Sequence, residues 1–435
     1  MIIRLIQILA SLTILVVIHE FGHFCFARLF KIRVEKFYIF FNPFFTLFKF
    51  KPKNSDTEYG LGWLPLGGYT KIAGMIDESM DTEQMKRDPQ PWEFRSHPAW
   101  HRLLVMAGGV LFNVVLALFL YSAICYVWGD RYLPMKNLTC GLEFSETAKK
   151  AGFVDGDVPV SADDEELLAF DESSMLKIIK AKVVNVMRNG ETTAVYVPND
   201  MMQQLMRDNQ GFATPRFRFV ADSVMASSPA MVAGIKSADT IVAVNGRDMY
   251  VYDVMTTINN NAGKQLSLTV LRGGDTLTLK ATPDAEGKIG IYLQGPQQMF
   301  KTESVSYSLL QSVPAGLNKA WDKMTGYVSN MKYIFTKEGA TSVGGFGTMA
   351  KLFPQMFNWF AFWNMTAFLS IILAVMNILP IPALDGGHIM FLLYEVVTGR
   401  KPEQSFMEKA QMIGMMFLLF LFLYANLSDL FRAFM

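Results

Sequence analysis

Residues 19–23 read His-Glu-Phe-Gly-His, two histidines four apart with a glutamate beside the first. On a helix, positions i and i+4 share a face about 6 Å apart along the axis, close enough for both imidazoles to hold one zinc ion. Glu20 then stands where metallopeptidases of this pattern keep their general base. The setting sharpens this reading. Leu5 to Ile18 carry no charge, and apolar positions resume through Ala27. Ionisable side chains at membrane depth are costly and point to function.

A catalytic zinc takes three protein ligands and leaves one position open. The third should lie elsewhere at membrane depth, and Asn377 to His388, NILPIPALDGGH, offers it. Pro380 and Pro382 must break a helix there, freeing backbone groups that only a protein-lined or hydrated site tolerates. Asp385 sits at the break, followed by Gly386 and Gly387, which allow another backbone or a metal close approach. Asp385 could also cap the half-helix that follows, and the two roles are compatible. His388 is a rival ligand on chemistry alone. Asp385 is preferred because His388 falls inside the next helix.

These groups need apolar elements to carry them. The chain has 435 residues, 51% hydrophobic, with a formal net charge of +1. No basic excess exists to release counterions from phosphate, which argues against nucleic acid as a partner. Cys25, Cys125 and Cys140 cannot build a disulfide framework and read as small hydrophobes. Four segments are long and apolar enough to cross a bilayer. The expected organisation is a first span over 1–30, a cytoplasmic or membrane-reentrant β region over 31–100, and a second span over 101–128. A polar middle, 129–357, precedes a broken third span at 358–397 and a fourth at 406–430. The first span has no small-residue cleavage site before its histidines and reads as retained.

Lys31, Arg33, Lys36, Lys49, Lys51, Lys53, Lys71, Lys86, Arg87 and Arg95 lie between spans one and two, and Arg400 and Lys401 between three and four. Positive-inside counting makes both loops cytoplasmic, with both termini and the middle region outside, and Arg4 alone argues the other way. The phenylalanine-rich stretch Val34 to Lys53 reads as a hairpin dipping into the membrane.

The middle region contains an internal repeat. Ser145 to Leu167, SETAKKAGFVDGDVPVSADDEEL, aligns with Ser227 to Met249, SSPAMVAGIKSADTIVAVNGRDM. The second copy continues into two alternating strands around Gly273-Gly274, a hairpin signal. Both copies resemble the PDZ domain, the first more weakly because Ala162-Asp163-Asp164 replaces the turn Val244-Asn245-Gly246. Two PDZ-like α/β domains are thus expected at 129–220 and 221–300. An amphipathic helical pattern between Ser304 and Phe335 lies within a linker over 301–357.

HEFGH in the first span with N-x-x-P-x-P-x-L-D-G in the third resembles the site-2 protease family of intramembrane zinc peptidases. Four spans with tandem PDZ domains resemble its bacterial, sigma-E-regulating branch. Thr57-Glu58-Tyr59-Gly60, Leu64-Pro65-Leu66-Gly67-Gly68-Tyr69 and the Gly109 to Asn113 element match by position. Val110 after Gly109, and Gly345-Phe346-Gly347 before the third span, depart from the family's Gly-Pro pattern without touching the metal residues.

The resemblance implies a polytopic α-helical protein of the bacterial inner membrane. Zn2+ would be held by His19, His23 and Asp385, with Glu20 catalytic. Its substrates would be single-span membrane proteins, such as anti-sigma factors already trimmed outside, or remnant signal peptides, met within membrane lipid. An unwound substrate needs partners for its backbone, and Tyr59 to Tyr69, including Gly67, Gly68 and Tyr69, is the candidate edge. Asn377 and Asn113 are candidates to hold substrate backbone; Asn113 could equally pack helices. The outer pair would filter substrates by size. A zinc transporter would need ligands repeated across inverted repeats, which the chain lacks. A silent scaffold would have no use for Glu20 and Asp385.

Overall fold

The computed structural model describes residues 2–75, 87–336, 339 and 344–434. Lys86 of the first basic loop and parts of the expected β region and linker lie outside them. Two compact units divide the chain, Met1–Gly129 with Ser306–Met435, and Asp130–Val305.

In the first unit, four helices are long and apolar enough to cross a membrane. Hydrocarbon offers the backbone no hydrogen-bond partners, so such runs must satisfy their own amides as helices. They are α1 (Ile2–Leu29) and α2 (Ala99–Trp128), with a four-stranded sheet between them in sequence, and two later helices reached after two further helices. The sheet comprises β1 (Val34–Phe41), β2 (Phe48–Phe50), β3 (Glu58–Leu61) and β4 (Leu64–Ile72), in the order β2-β3-β1-β4. Then come α3 (Leu309–Met331) and α4 (Phe346–Lys351). The third span is α5 (Trp359–Ile378), broken from α6 (Asp385–Thr398), and the fourth lies in α7 (Gln404–Phe434).

The sheet corrects two expectations. Val34 to Lys53 is not a hairpin, because β3 lies between β1 and β2, parallel to the first and antiparallel to the second. Tyr59 to Tyr69 is not one edge either. Its first half is interior, and Gly62 already donates to the Ile39 carbonyl at 2.8 Å. Only β4 ends the order on that side. The phenylalanine-rich turn does project, with Phe44 99% exposed, and Phe45, Leu47, Phe48 and Phe50 are exposed too.

The expected linker helix is α3, and it packs rather than merely connects. Ala320 joins a buried cluster with Ala117, Tyr121 and Ile124 of α2 and Ala367 and Ile371 of α5. At the third span the chain leaves helical geometry over 379–384, where Pro380 and Pro382 stand, and re-enters at Asp385. Leu384, not Asp385, is the capping position, and it makes no side-chain cap bond.

The second unit contains one pattern twice. A short strand leads to a helix capped by serine, Ser145 accepting from Ala148 N–H and Ser228 from Met231 N–H. A strand, a longer helix and a hairpin follow, and a last strand pairs with the first. The turn that made the first copy look weaker is the same in both. Asp163-Asp164 have φ of 45° and 69°, Asn245-Gly246 have 49° and 76°, and Asp and Asn tolerate this region by bonding locally. A second Asn-Gly hairpin turn, Asn189-Gly190, was also present as a sequence signal. The boundaries shift slightly. Strand Phe219–Val224 belongs wholly to the second copy, and Glu303–Val305 pairs with Asp130–Pro134.

A shared clamp ties each copy. Asp157, 1% exposed, accepts from Arg188 Nε and Nη2 at 2.8 and 2.7 Å. Asp239, also 1% exposed, accepts from Arg272 at 2.7 and 2.6 Å. Each arginine also donates to a glycine carbonyl at the helix end, Gly152 or Gly234. Gly152 and Asp157 align with Gly234 and Asp239, and each arginine ends the first strand of its copy's hairpin. Hydrogen bonds from Arg272 hold the Asp239 carboxyl below the usual carboxylate range despite its burial. A carboxyl so depressed adds stability that is present above its ordinary value and is lost as pH falls through its folded one. Asp239→Asn should therefore destabilise this unit by roughly 1–3 kcal/mol at neutral pH. The difference from the native chain should close below about pH 4. Denaturant melts of the full-length protein, read by proteolysis within 130–305, measure it.

Candidate metal centre

Helix α1 places His19 and His23 on the face that meets α2. The crossing is tight because Gly22 faces Gly108, and a Cβ on either would strike the other's backbone. Small residues at such a contact let helices approach where packing alone drives association. Gly109 opens the same wall toward the histidines. A Cβ there would lie 2.5 Å from His19 Cε1 and 2.6 Å from His23 Nε2.

The break between α5 and α6 brings Asp385 to the pair. His19 Nε2 lies 3.1 Å and His23 Nε2 3.4 Å from Asp385 Oδ2, and the two Nε2 atoms are 3.2 Å apart. With metal bonds of about 2.0–2.1 Å, the corners of a tetrahedron stand about 3.3–3.4 Å apart. Asp385 Oδ2 is buried and makes no hydrogen bond, so its lone pairs are left for the centre of that triangle. Among the described residues these three form the only such cluster of histidine, cysteine or carboxylate groups. The donor set, two neutral imidazoles and one carboxylate, suits zinc. His388 turns elsewhere, its Nε2 3.1 Å from Gln411 Nε2 on α7.

Further groups surround the triad, among them Val105, Thr70 and Ser370, which the sequence did not point to. His23 Nδ1 is 2.9 Å from the Val105 carbonyl of α2. His19 Nδ1 is 3.1 Å from Asn113 Nδ2, also of α2. Asn113 is 0% exposed and lies between the helices, as the packing alternative expects. Ser370 of α5 donates to its backbone carbonyl at 2.8 Å. Asn377, at the end of α5, brings Nδ2 to 3.4 Å from His19 Nε2. The carboxylate of Glu20 has His19, His23, Asp385 and Thr70 for neighbours. Thr70 Oγ1 also donates to the Glu20 carbonyl at 3.2 Å, which ties β4 to the helix of the motif. Gly67, Gly68 and Tyr69 sit in β4. Gly68 lies against the Tyr38 carbonyl and Val16, while Tyr69 donates to Asn42 Oδ1 at 3.1 Å and stacks on Tyr38. Gly386 and Gly387 make room for the loop's own backbone at Leu379 and Pro382.

Known proteins match this chain along most of its length. The family model described as peptidase family M50 matches residues 7–421. A Neisseria meningitidis protein named "Putative zinc metalloprotease" is 28% identical, covering 95% of this chain and 94% of its own. The regulator of sigma-E protease RseP of Salmonella typhimurium is 26% identical, covering 99% and 98%. A further zinc metalloprotease by name, from Borreliella burgdorferi and likewise called "Putative", is 28% identical over 97% and 96%.

Gly109→Ala tests the wall of the centre. Its methyl group would displace both imidazoles, so zinc retained through purification should fall at least tenfold. Helix content by circular dichroism should stay unchanged, since alanine favours α2.

Proposed function

The chain belongs to peptidase family M50, the site-2 proteases, and as a membrane-embedded zinc metalloprotease of that family, we propose, it cuts the membrane segments of single-span proteins with His19, His23 and Asp385 as zinc ligands and Glu20 as base. The observation that carries the assignment is the spacing of His19 Nε2, His23 Nε2 and Asp385 Oδ2 at 3.1 to 3.4 Å, with no hydrogen bond on the carboxylate oxygen. Zinc, when bound, supplies a Lewis acid that polarises the scissile carbonyl and acidifies water. Glu20 takes a proton as the water oxygen bonds to the carbonyl carbon, and returns one to the amine as the C–N bond breaks. Asn377, whose Nδ2 lies 3.4 Å from His19 Nε2, would hold a substrate amide there.

A transmembrane substrate must unwind to be cut, and its freed backbone needs partners. The outer side of β4, with Gly67, Gly68 and Tyr69, suits strand addition because β1 occupies only its inner side and Thr70 ties it to the catalytic helix. The substrates are proposed to be anti-sigma-factor-like proteins or remnant signal peptides. We place the protein in the bacterial inner membrane with both termini and residues 130–305 on the periplasmic side, from the basic loops. The two copies in 130–305 are read as PDZ-like domains that filter substrates by the size of their external part.

Two experiments test this reading. Glu20→Gln should abolish cleavage of a transmembrane substrate in detergent or vesicles while zinc content stays at the native level, since the base goes and the ligands remain. Near-native turnover would remove Glu20 from the role. For the filter, residues 135–302 can be excised and the paired strands Asp130–Pro134 and Glu303–Val305 joined by a short glycine-rich linker. The shortened enzyme should cut single-span proteins that still carry a folded external domain, which the full chain refuses. Slower cutting of trimmed substrates, with no gain for intact ones, would favour peptide capture instead.

A further inference from the structure

Resting on the assignment of His19 as a zinc ligand, we infer that Asn113 is the positioning residue that sets the tautomer of His19, through an amide that can serve either form of the ring. Its chemistry follows from which nitrogen faces the metal position. His19 Nε2 points at Asp385 and His23, so in metal binding its lone pair is used there and the ring proton must sit on Nδ1. That proton needs an acceptor, because the ring is buried and an unpaired donor in the interior is costly. For His23 the acceptor is the Val105 carbonyl at 2.9 Å. For His19 the group within reach is the Asn113 side chain at 3.1 Å.

The Asn113 amide turns Nδ2 toward His19, while its Oδ1 is buried with no hydrogen-bond partner. A primary amide holds donor and acceptor on one planar fork. Nδ2–H donates to a bare Nδ1, the form in which Nε2 carries the proton. A half-turn of the amide presents Oδ1 to Nδ1–H, the form in which Nε2 is free for metal. The same half-turn pairs the orphaned Oδ1. The side chain is anchored for this task, since the Asn113 carbonyl accepts from Ser370 of α5 and the residue has no solvent contact. Both imidazoles are thus steered from one helix, by a main-chain carbonyl at 105 and a side-chain amide at 113, with Gly109 between them.

Substitutions at 113 separate this from a packing role. Leucine matches the volume and has no acceptor, whereas aspartate keeps the acceptor and loses the donor. Asn113→Leu should weaken zinc binding about 10- to 100-fold, measured by competition with a chromophoric chelator on the full-length protein. Asn113→Asp should bind zinc at least as tightly as the native chain, because a carboxylate is the better acceptor for Nδ1–H. If the leucine variant does not fold, Asn113→Asp alone decides. Native or tighter affinity supports the role, and a weaker one overturns it. Equal losses in both variants, or native affinity in Asn113→Leu, also overturn it. His19→Ala is the control that keeps the two assignments apart. Zinc retained in His19→Ala would refute His19 as a ligand. Zinc lost there but kept in Asn113→Leu would refute only the inference about Asn113.

Discussion

Where α1 crosses α2, Gly22 and Gly108 leave their backbones in direct contact, and this approach fixes how far the histidine rings stand from the second helix. A crossing about a methyl group wider would separate His23 Nδ1 from the Val105 carbonyl and His19 from Asn113. It would also open the wall at Gly109. Lipid chains are as apolar as leucine, so no hydrophobic force closes such a gap. Shape and internal hydrogen bonds must do it. The polar contacts are distributed accordingly. Arg102 of α2 pairs with Glu395 of α6, Gln7 of α1 donates to the Pro354 carbonyl, and Asp429 of α7 accepts from the Gly345 and Thr348 amides at the start of α4. Each joins segments far apart in sequence, α2 to α6, α1 to the chain before α5, and α7 to α4.

The broken span poses the opposite problem. Residues 379–384 give up helical hydrogen bonds in a stretch that the sequence places at membrane depth, and they do so to bring a carboxylate to two imidazoles. Gly386, Gly387 and Gly414 accept that loop closely enough that no side chain fits between, the last of them from α7. Burying an anion is unfavourable unless a cation or several donors meet it. Asp385 Oδ2 makes no hydrogen bond, which fits the metal ligation proposed for it.

Much of this was legible in the sequence because the signals are local. Two histidines at i and i+4, prolines interrupting an apolar run, and an aspartate beside them each need only a few neighbouring residues to be read. The helices long and apolar enough to span a membrane are legible for the same reason. What stayed hidden depends on register between distant segments. Nothing near Val105, Gly109 or Asn113 says that they face residues some ninety positions earlier. The order β2-β3-β1-β4 places a parallel pair inside a region that reads as a hairpin, so the expected edge over Tyr59 to Tyr69 included the interior strand β3 as well as β4, which ends the sheet. Asp163-Asp164 concealed a left-handed turn that Asn-Gly would have announced, though both pairs adopt it.

The repeated Arg–Asp clamp has a consequence for how the polar unit folds. Arg188 with Asp239, or Arg272 with Asp157, would be chemically as good a pair as either native one, and tandem copies of one topology are prone to such cross-assembly. The difference lies in the chain between them. The native pairs close loops of 31 and 33 residues, while the crossed pairs span much longer segments, at a further ~0.5–1 kcal/mol of closure entropy. Native clamps are also the faster to form, as each draws on a hairpin and helix of its own copy. The two copies differ at most other positions, so a swapped strand would meet a core cut for different side chains. Polymer statistics sort the partners first, and shape then rejects what slips through.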